Sequence, residues 1–434
     1  MKEAWPRVAV GDLVNKGEAS LQTGPFGTQL SAAEYVPEGI PVINVRNVGF
    51  GDVRDADLEY VSEAKADQLH HHILRRGDIV FGRKGAVERH ALIQEAQDGW
   101  VQGSDCLRLR LKSPRFHERF VSFYLRTQAH QDWMQALCAF GATMSSLNQD
   151  IVNRIQLPCP PLPVQEKVTA VLGAYDDLIA NNQRRIALLE SMAEEIYREW
   201  FVRMRFPGAQ PDTFDKGLPP GWTNEPIGTA FKFYGGATPS KDVNRYWKDG
   251  DVHWFTPTDI TGAEGVFLES SGEHCTEEGL ASCSATLFPA YSVMMTSRAT
   301  IGAIGINTEP ACTNQGFITC IPNERYPLTY LYQWLKLAKQ HFEMLSSGAT
   351  FAELTKGTFK RIRILTPDKA LVADFERRVR PMFNEMEALL KSNKRLKAMR
   401  DALLPRLISG KLRVDQLDIQ LPPSMRAETA EAVP

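Results

Sequence analysis

Two stretches of this chain place apolar residues at alternating steps of three and four, the spacing of one face of a long helix. The first set is Leu172, Tyr175, Ile179, Asn182, Ile186, Leu189, Ala193, Ile196 and Trp200. The second set is Val379, Met382, Met386, Leu389, Asn393, Leu396, Arg400 and Leu403. Because a repeat of seven residues is typical of coiled coils, we predict long helices over 163–205 and 368–412. Pro405 is expected to end or kink the second helix, since proline lacks the N–H that the helix needs.

One asparagine interrupts each apolar set, and the two occupy different positions along their helices. If the helices run antiparallel with Asn182 opposite Asn393, the apolar residues face each other, for example Ile186 and Leu389. A single buried polar layer is a known way to fix the register of a helix pair. We therefore expect an intramolecular antiparallel coiled coil with both asparagines in one layer. The alternative is that both asparagines lie on solvated edges.

Ahead of each helix the pattern changes to short apolar and β-branched runs separated by Gly, Pro, Asn and Asp, which predicts strands and turns. These two regions form an internal repeat. Gly-Ala-Thr at 141–143 returns at 348–350, an offset of 207 residues from Gly141 to Gly348 that still holds at Ile155 and Ile362. Earlier in the repeat the offset drifts, as insertions in surface loops would cause. A repeat of this length fixes the architecture as two similar lobes.

The predicted fold class is therefore mixed α/β, with two similar α/β domains, two long antiparallel helices in a coiled coil, and a pseudo-two-fold internal repeat. A segment rich in Pro and Gly predicts a linker, and a small, polar C-terminal segment predicts a disordered tail. The predicted boundaries are 1–162 for the first domain, 163–205 for the central helix, 206–221 for the linker, 222–367 for the second domain, 368–412 for the C-terminal helix and 413–434 for the tail.

Composition narrows the function classes. Lys and Arg (50) nearly balance Asp and Glu (52), for a formal charge of -2, which argues against a tail-driven polyanion binder but allows a localised basic face. The seven cysteines form no CxxC pair and suggest reduced thiols rather than a disulfide framework. The N-terminus lacks an apolar signal region, and no apolar run is long enough for a membrane span. We expect a cytoplasmic protein with no membrane association.

The familiar motifs of catalysis are absent from the sequence. Gly82-Arg83-Lys84-Gly85 lacks the spacing of a phosphate-binding loop, and no serine or cysteine stands in a G-x-S-x-G context. The cluster His70-His71-His72 has no cysteine or histidine partners nearby, so a solvated segment is favoured over a zinc site. We expect no catalytic residues and no metal site in this chain.

The chain resembles the specificity subunit of type I restriction-modification enzymes, and the resemblance covers nearly its full length. Its strongest motifs are LPCPPLPVQEKV at 157–168, IYREWFVRMRFP at 196–207, LPPGW at 218–222 and LLPRLISGKLRV at 403–414. Further motifs are GPFGTQL at 24–30, RRGDIVFGRKG at 75–85, YGGATPSK at 234–241 and SRATIGAIG at 297–305. The second copy departs from the pattern at its helix entry, where Thr366-Pro367-Asp368-Lys369 replaces the PPLPxQE motif.

The resemblance implies that each α/β domain is a target recognition domain that reads one half of a split, asymmetric site in double-stranded DNA. The helices would separate the domains, act as a spacer ruler and hold two modification (methyltransferase) subunits. Those subunits would bring S-adenosylmethionine and methylate adenine. The resemblance leaves open whether restriction (motor-nuclease) subunits join with ATP and Mg²⁺. It also implies that the specificity subunit itself is not an enzyme.

Base reading needs contacts to base edges, which Arg, Lys, Asn and Gln side chains make best from loops that enter a groove, whereas phosphate contacts only position the protein. Each candidate has an alternative role as a solvated turn or a phosphate contact. The candidates are Arg46, Asn47, Arg83, Lys84 and Thr143 in the first domain, and Thr258, Asp259, Ser297, Arg298, Asn314, Gln315 and Thr350 in the second.

Two other function classes stay open on the sequence alone. A single-chain nuclease with an unrecognised site would need clustered carboxylates and would cleave DNA without partners. A non-catalytic coiled-coil scaffold would bind proteins through its lobes and would bind no duplex even when partners are present.

Overall fold

The computed structural model describes residues 5–138, 146–215, 217–346 and 352–419, without the side chain of Thr28. The chain forms two compact units. The first comprises Met1–Leu178 with Leu396–Pro434, and the second comprises Ile179–Arg395. Each unit therefore contains one α/β domain together with one part of each long helix.

The elements of the first unit alternate short strands and short helices. The strands are β1 (Arg7–Ala9), β2 (Ala19–Thr23), β3 (Tyr35–Val36), β4 (Ile40–Ile43), β5 (Phe50–Gly51), β6 (Glu59–Val61), β7 (Ile79–Gly82), β8 (His90–Leu92), β9 (Val101–Gln102), β10 (Cys106–Leu111) and β11 (Gln156–Pro158). The helices are α1 (Val10–Asn15), α2 (Glu63–Gln68), α3 (Glu118–Leu125), α4 (Gln128–Cys138), α5 (Gln149–Asn153) and the start of α6 (Leu162–Tyr197).

A five-stranded sheet in the order β2-β10-β7-β8-β5 forms the centre of the first unit. Its central strand β7 and the neighbouring β8 are buried throughout, in agreement with the continuous apolar run of β7. A four-stranded sheet in the order β3-β6-β4-β9 lies in the same unit, and β1 pairs with β11. The first and last strands of the domain are thus joined, which closes the domain before α6 begins.

The second unit repeats this plan. Its strands are β12 (Thr223–Pro226), β13 (Phe233–Gly235), β14 (Val252–Phe255), β15 (Phe267–Leu268), β16 (Glu273–Cys275), β17 (Val293–Thr296), β18 (Ile304–Asn307), β19 (Ala311–Thr313), β20 (Phe317–Cys320) and β21 (Arg363–Thr366). Its helices are α7 (Ile227–Ala230), α8 (Pro257–Thr261), α9 (Glu277–Ala281), α10 (Leu328–Leu337), α11 (Lys339–Leu345), α12 (Lys356–Arg361) and most of α13 (Lys369–Ile408).

The sheets of the two units correspond strand for strand. The second five-stranded sheet has the order β13-β20-β17-β18-β15, a three-stranded sheet has the order β16-β14-β19, and β12 pairs with β21. The direction of pairing is also preserved, since β4 with β9 and β14 with β19 are both parallel. The predicted internal repeat is confirmed as a repeat of topology, and only β3 has no counterpart among the described strands of the second unit.

Both long helices form where the heptad pattern predicts them. α6 has 36 residues and continues into a π-helical turn at Arg198–Val202, and α13 has 40 residues. Pro405 was expected to end or kink α13, and it does not end the helix, which continues to Ile408. Proline in the last turn removes only one helix hydrogen bond, and Leu404, Leu407 and Ile408 bury their side chains in the first unit.

The second unit contains the asparagine layer that the sequence predicts. Asn182 and Asn393 are 3% and 2% exposed, and Nδ2 of Asn182 donates a hydrogen bond to Oδ1 of Asn393 over 2.8 Å. Arg185 and Glu385 form an ion pair of 2.6 Å further along the same helices. The order of these contacts shows that the two helix segments of this unit run antiparallel, so the register hypothesis is confirmed.

Aromatic packing attaches the second α/β domain to the helix segments of its unit. Tyr330 of α10 contacts Phe201, with ring centroids 4.9 Å apart, and Phe201 contacts Phe375 of α13 at 5.1 Å. Glu190 of α6 accepts hydrogen bonds from the Tyr332 hydroxyl (2.8 Å) and from Lys336 Nζ (2.6 Å). Phe201 and its neighbour Trp200 are core residues of this unit.

An ionic cluster attaches the first α/β domain to its helix segments. Asp176 of α6 accepts from Arg126, which directly follows α3, and from Arg400 of α13, each over 2.6 Å. Burial tends to raise the pKa of Asp176, but hydrogen bonds and charges from Arg126 and Arg400 outweigh burial, so this pKa lies below its usual value. Apolar residues of α3, α6 and α13 form a buried hydrophobic cluster in the same unit, including Phe123, Leu172 and Leu404.

The segment after α13 packs further than the predicted tail boundary at 413. Val414 is 2% exposed, and Lys167 Nζ donates to the carbonyl oxygens of Asp415 (3.1 Å) and Leu417 (2.8 Å). The start of the predicted tail is therefore part of the first unit, because it covers apolar surface of α6 and α13. Residues 420–434 lie outside the described residues.

Candidate nucleic-acid interface

Three strand ends of the first unit meet at one edge of the five-stranded sheet. β2, β10 and β7 are antiparallel neighbours, so the segments after β2, before β10 and after β7 lie side by side. These segments carry Phe26, Asp105, Arg83 and Lys84, which together we name the first edge cluster.

Glycine allows the backbone of this edge to pack closely. A Cβ atom on Gly24 would lie 1.9 Å from the carbonyl oxygen of Gly103, so only glycine fits there. The N–H of Gly24 donates to the carbonyl of Cys106 over 2.9 Å. Burial raises the pKa of the Cys106 thiol to about 12, so this thiol is uncharged near neutral pH.

The charged residues of the first edge cluster are partly or fully exposed. The Arg83 guanidinium lies over the Phe26 ring, 5.5 Å from its centroid, and Arg83 Nε is buried without a hydrogen-bond partner in the described part of the chain. Lys84 Nζ lies 3.2 Å from Asp105 Oδ1, and the Lys84 side chain is 60% exposed. The carbonyl of Arg83 accepts from the N–H of Leu147 over 2.8 Å, which holds this turn.

The second unit builds the same edge from different side chains. The segments after β13, before β20 and after β17 meet because these strands are also antiparallel neighbours. The carbonyl of Ser297 accepts from the N–H of Leu354 over 2.9 Å, as Arg83 does from Leu147. A Cβ on Gly236 would lie 2.0 Å from the carbonyl oxygen of Asn314. The side chains that form this second edge cluster are Thr238, Ser297, Arg298, Gln315 and Glu353.

Hydrogen bonds orient the polar groups of the second edge cluster. Thr238 Oγ1 donates to Gln315 Oε1 over 2.7 Å, and the Gln315 side chain is exposed. The fixed oxygen leaves the Gln315 NH₂ group as the outward donor. Arg298 Nε lies 3.0 Å from Glu353 Oε1. Asn314 Oδ1 accepts from the N–H of Gly316, so this side chain supports the backbone turn.

The predicted candidates Arg46 and Thr258 occupy equivalent turns next to the edge clusters. Arg46 donates from Nε to the carbonyl of Asp57 (3.0 Å) and pairs with Glu59 (3.1 Å), and its side chain is 48% exposed. Thr258 Oγ1 lies 2.9 Å from Thr256 Oγ1 and is exposed. Both turns can present a side chain to a ligand of the neighbouring edge cluster.

Asn47 and Asp259 have a different role from the predicted one. Asn47 is fully buried, and its amide donates to the carbonyls of Arg54 and Ala56. Asp259 accepts from the backbone N–H groups of Thr256 and Gly272. Each side chain caps its own turn, so the polar atoms named here are used inside the fold.

Sequence reasoning missed Phe26, Asp105, Thr238 and Glu353. The motifs that contain Phe26 and Thr238 were identified, but their side chains become candidates only when the sheet order places them beside Arg83 and Gln315. The predicted residues Thr143 and Thr350 lie outside the described residues. In the described ranges, no three His, Cys, Asp or Glu side chains are placed to hold a metal ion. No described helix is long and apolar enough to cross a membrane.

Comparison with known proteins identifies the family. The model of the type I restriction modification DNA specificity domain matches residues 3–191 and 219–370, one match for each half of the repeat. The type I restriction enzyme MjaIX specificity subunit of Methanocaldococcus jannaschii is 32% identical over 170 residues, which is 39% of this chain and 39% of that protein. This chain thus aligns with well under half of that relative's length.

Other relatives align over most of both chains. The HindI specificity subunit of Haemophilus influenzae is 21% identical over 403 residues, covering 78% of this chain and 87% of that protein. The crystal structure of the type I restriction-modification S subunit from M. genitalium matches with a TM-score of 0.58 at 16% identity, covering 94% of this chain and 97% of that chain. That structural match supports the fold. With both halves of its repeat matched by the family model, this chain belongs to the type I restriction-modification DNA specificity family.

Proposed function

We propose that this chain is the sequence-reading subunit of a type I restriction-modification complex, and that each unit reads one half of a split, asymmetric site in double-stranded DNA. The observation that carries the proposal is the pair of edge clusters. Their backbone frames correspond strand for strand, whereas their side chains differ. A protein that reads two different half-sites needs two related backbone frames that carry different side chains.

The chemistry of each edge cluster suggests what it reads. Arginine and lysine pair with guanine O6 and N7 in the major groove, and glutamine pairs with adenine N6 and N7. Arg83 in the first unit therefore favours a guanine, and Gln315 in the second favours an adenine. Lys84 and Arg298 are each held by a carboxylate, and they suit phosphate contacts that position the protein.

Family membership supports a set of partners for the proposed complex. The proposed complex contains two modification subunits, which bind S-adenosylmethionine and methylate adenine in the cytoplasm. Restriction subunits that use ATP and Mg²⁺ would join this complex where the cell makes them. In this proposal the chain itself performs no catalysis and supplies only DNA recognition and docking surfaces.

The long helices are proposed to act as a ruler between the half-sites. One additional helical turn, four residues, adds about 6 Å to a helix. Inserting such a turn at one level of the paired α6 and α13 should lengthen the unread spacer by about one or two base pairs, given roughly 3.4 Å per step. Modified sites with an unchanged spacer would reject the ruler.

The experiment that tests the proposed function is co-expression of the full chain with its modification subunits in a host without adenine methylation. Modified adenines are then mapped at single-base resolution. The proposal predicts two short specified halves around a fixed, unspecified gap. A stable complex without any methylation would favour the scaffold alternative, and cleavage of DNA by the isolated chain would favour the nuclease alternative.

A further inference from the structure

The first edge cluster presents an exposed aromatic ring that the second lacks. Phe26 is 57% exposed in the turn after β2, and Thr238 stands in the corresponding turn after β13. This turn is well held. The N–H of Phe26 donates to Gln29 Oε1 over 3.2 Å, and the N–H of Gln29 donates to the carbonyl of Phe26 over 2.9 Å. The ring therefore projects from a fixed backbone rather than from a loose loop.

Single exposed apolar side chains are common, so exposure alone does not indicate a ligand. The additional observation is the position of the neighbouring Arg83. The Arg83 guanidinium lies 5.5 Å from the Phe26 centroid, and Arg83 Nε is buried without a hydrogen-bond partner in the described residues. An apolar ring and a cationic guanidinium group thus stand side by side, next to exposed Lys84. A DNA base pair offers matching features in the major groove, where acceptor atoms lie beside the thymine methyl group.

The arginine also limits how the ring can meet DNA. An apolar wedge that opens a base step is stacked between bases on both faces. Arg83 covers one face of Phe26, and cation–π attraction holds it there. The rim and the other face remain accessible. This geometry is unfavourable for insertion of the ring between bases. It favours contact between the ring and a group that projects into the groove.

We propose that Phe26, positioned by Arg83, is a specificity-determining residue that packs against the C5-methyl group of a thymine in the half-site read by the first unit. This inference rests on the proposed function. It assigns to the first unit a base contact made by apolar packing. The polar residues of the first edge cluster can contact bases only through hydrogen bonds, so they do not supply such a contact. Thr238 in the second unit is hydrogen-bonded to Gln315 instead, so the second half-site is read without an equivalent aromatic contact.

The test uses the complex with its modification subunits and duplexes that carry the mapped site. Each thymine in both halves is replaced in turn by deoxyuridine, which removes only the C5-methyl group, and the dissociation constant is measured by fluorescence anisotropy. Loss of one buried methyl contact corresponds to about a fourfold weaker affinity. With the unaltered chain, we expect deoxyuridine to weaken binding by this factor at one thymine of one half-site. With Phe26→Ala, the deoxyuridine and thymine duplexes should bind with equal affinity at that position.

Phe50→Ala is the matched control, because Phe50 is also an exposed ring of the first unit (39%) with an arginine over it, Arg89 at 5.2 Å. This variant should keep the fourfold thymine effect, and Phe26→Leu should keep part of it. The inference would be overturned if deoxyuridine weakened binding of the Phe26→Ala complex as much as that of the unaltered complex. It would also be overturned if no thymine methyl group in the first half-site contributed to affinity. Both results would leave the proposed function intact. A complex that binds no duplex and modifies no site would contradict the proposed function itself.

Discussion

Asn182 and Asn393 form a hydrogen-bonded pair of 2.8 Å inside the helix pair of the second unit, with both side chains almost fully buried. Their neighbours in the packed layers, such as Ile186 and Leu389, are apolar. A polar pair in this setting contributes little net stability, but it penalises every register in which one amide is buried alone. We infer that the pair selects the register of the helices.

Replacing one member of this pair should be more harmful than replacing both. Asn182→Leu leaves the Asn393 amide buried without its partner, and we expect a loss of about 1–3 kcal/mol in the free energy of unfolding. Asn182→Leu combined with Asn393→Leu should recover most of that loss. Denaturant unfolding of the four chains measures the coupling. Asn181→Leu, at an exposed neighbouring position, is the control and should change stability by less than about 0.5 kcal/mol. Equal losses in the single and double variants would contradict this role.

The Asp176 cluster should make the first unit sensitive to acid. Asp176→Asn leaves Arg126 and Arg400, which are 12% and 15% exposed, without their shared carboxylate, and should cost about 2–4 kcal/mol near neutral pH. Asp177→Asn is the control, because Asp177 pairs with Arg119 on the surface at 62% exposure and should cost less than about 1 kcal/mol.

The pH dependence follows from the direction of the pKa shift. The pKa of Asp176 is lowered in the folded chain from an ordinary value of 3.8. Its stabilising contribution is therefore complete above about pH 4 and is lost as the pH falls through the folded-state pKa. The stability difference between the unaltered chain and Asp176→Asn should be constant from about pH 7 to about pH 5 and shrink below about pH 4. A difference that instead grows on acidification would show that the carboxylate is not held in its charged form.

Lys84 is expected to contact phosphate rather than bases. Lys84→Ala in the complex should weaken binding to all duplexes to a similar degree and reduce the slope of log affinity against log salt by about 0.9. Anisotropy titrations at several salt concentrations give the slope. Lys16→Ala, at an exposed position at the end of α1, should leave it unchanged. A change in the recognised bases with no change in slope would assign Lys84 to base reading instead.

The parts of this fold that the sequence predicts are those encoded by local periodicity. The heptad spacing gives both long helices, and the position of each asparagine gives the pairing of Asn182 with Asn393. The sheet order could not be predicted, because β10 pairs with β2 and β7 across long stretches of chain and nothing in a single strand specifies its neighbours. The edge clusters exist only through that order.

The structural role of Asn47 and Asp259 has a signal in the sequence. Asn44 with Asn47, and Thr256 with Asp259, have the spacing of a capping box, in which the later side chain bonds back to the first backbone N–H. That pattern indicates a structural turn rather than a reader. Pro405 was misjudged for another reason, since the effect of a proline near a helix end depends on tertiary packing that the sequence does not display.

The central claim is that the two edge clusters read different halves of one DNA site. Its most direct test is to map methylated adenines at single-base resolution for complexes that contain the unaltered chain, Arg83→Ala or Gln315→Ala. We predict that Arg83→Ala relaxes recognition in one half of the motif, at the proposed guanine and at the thymine next to Phe26, and that Gln315→Ala relaxes one position in the other half. Discrimination at the position read by Arg83 and at the position read by Gln315 should fall by roughly tenfold to a hundredfold. Relaxation of the same half by both variants, or an unchanged motif in both, would contradict the account.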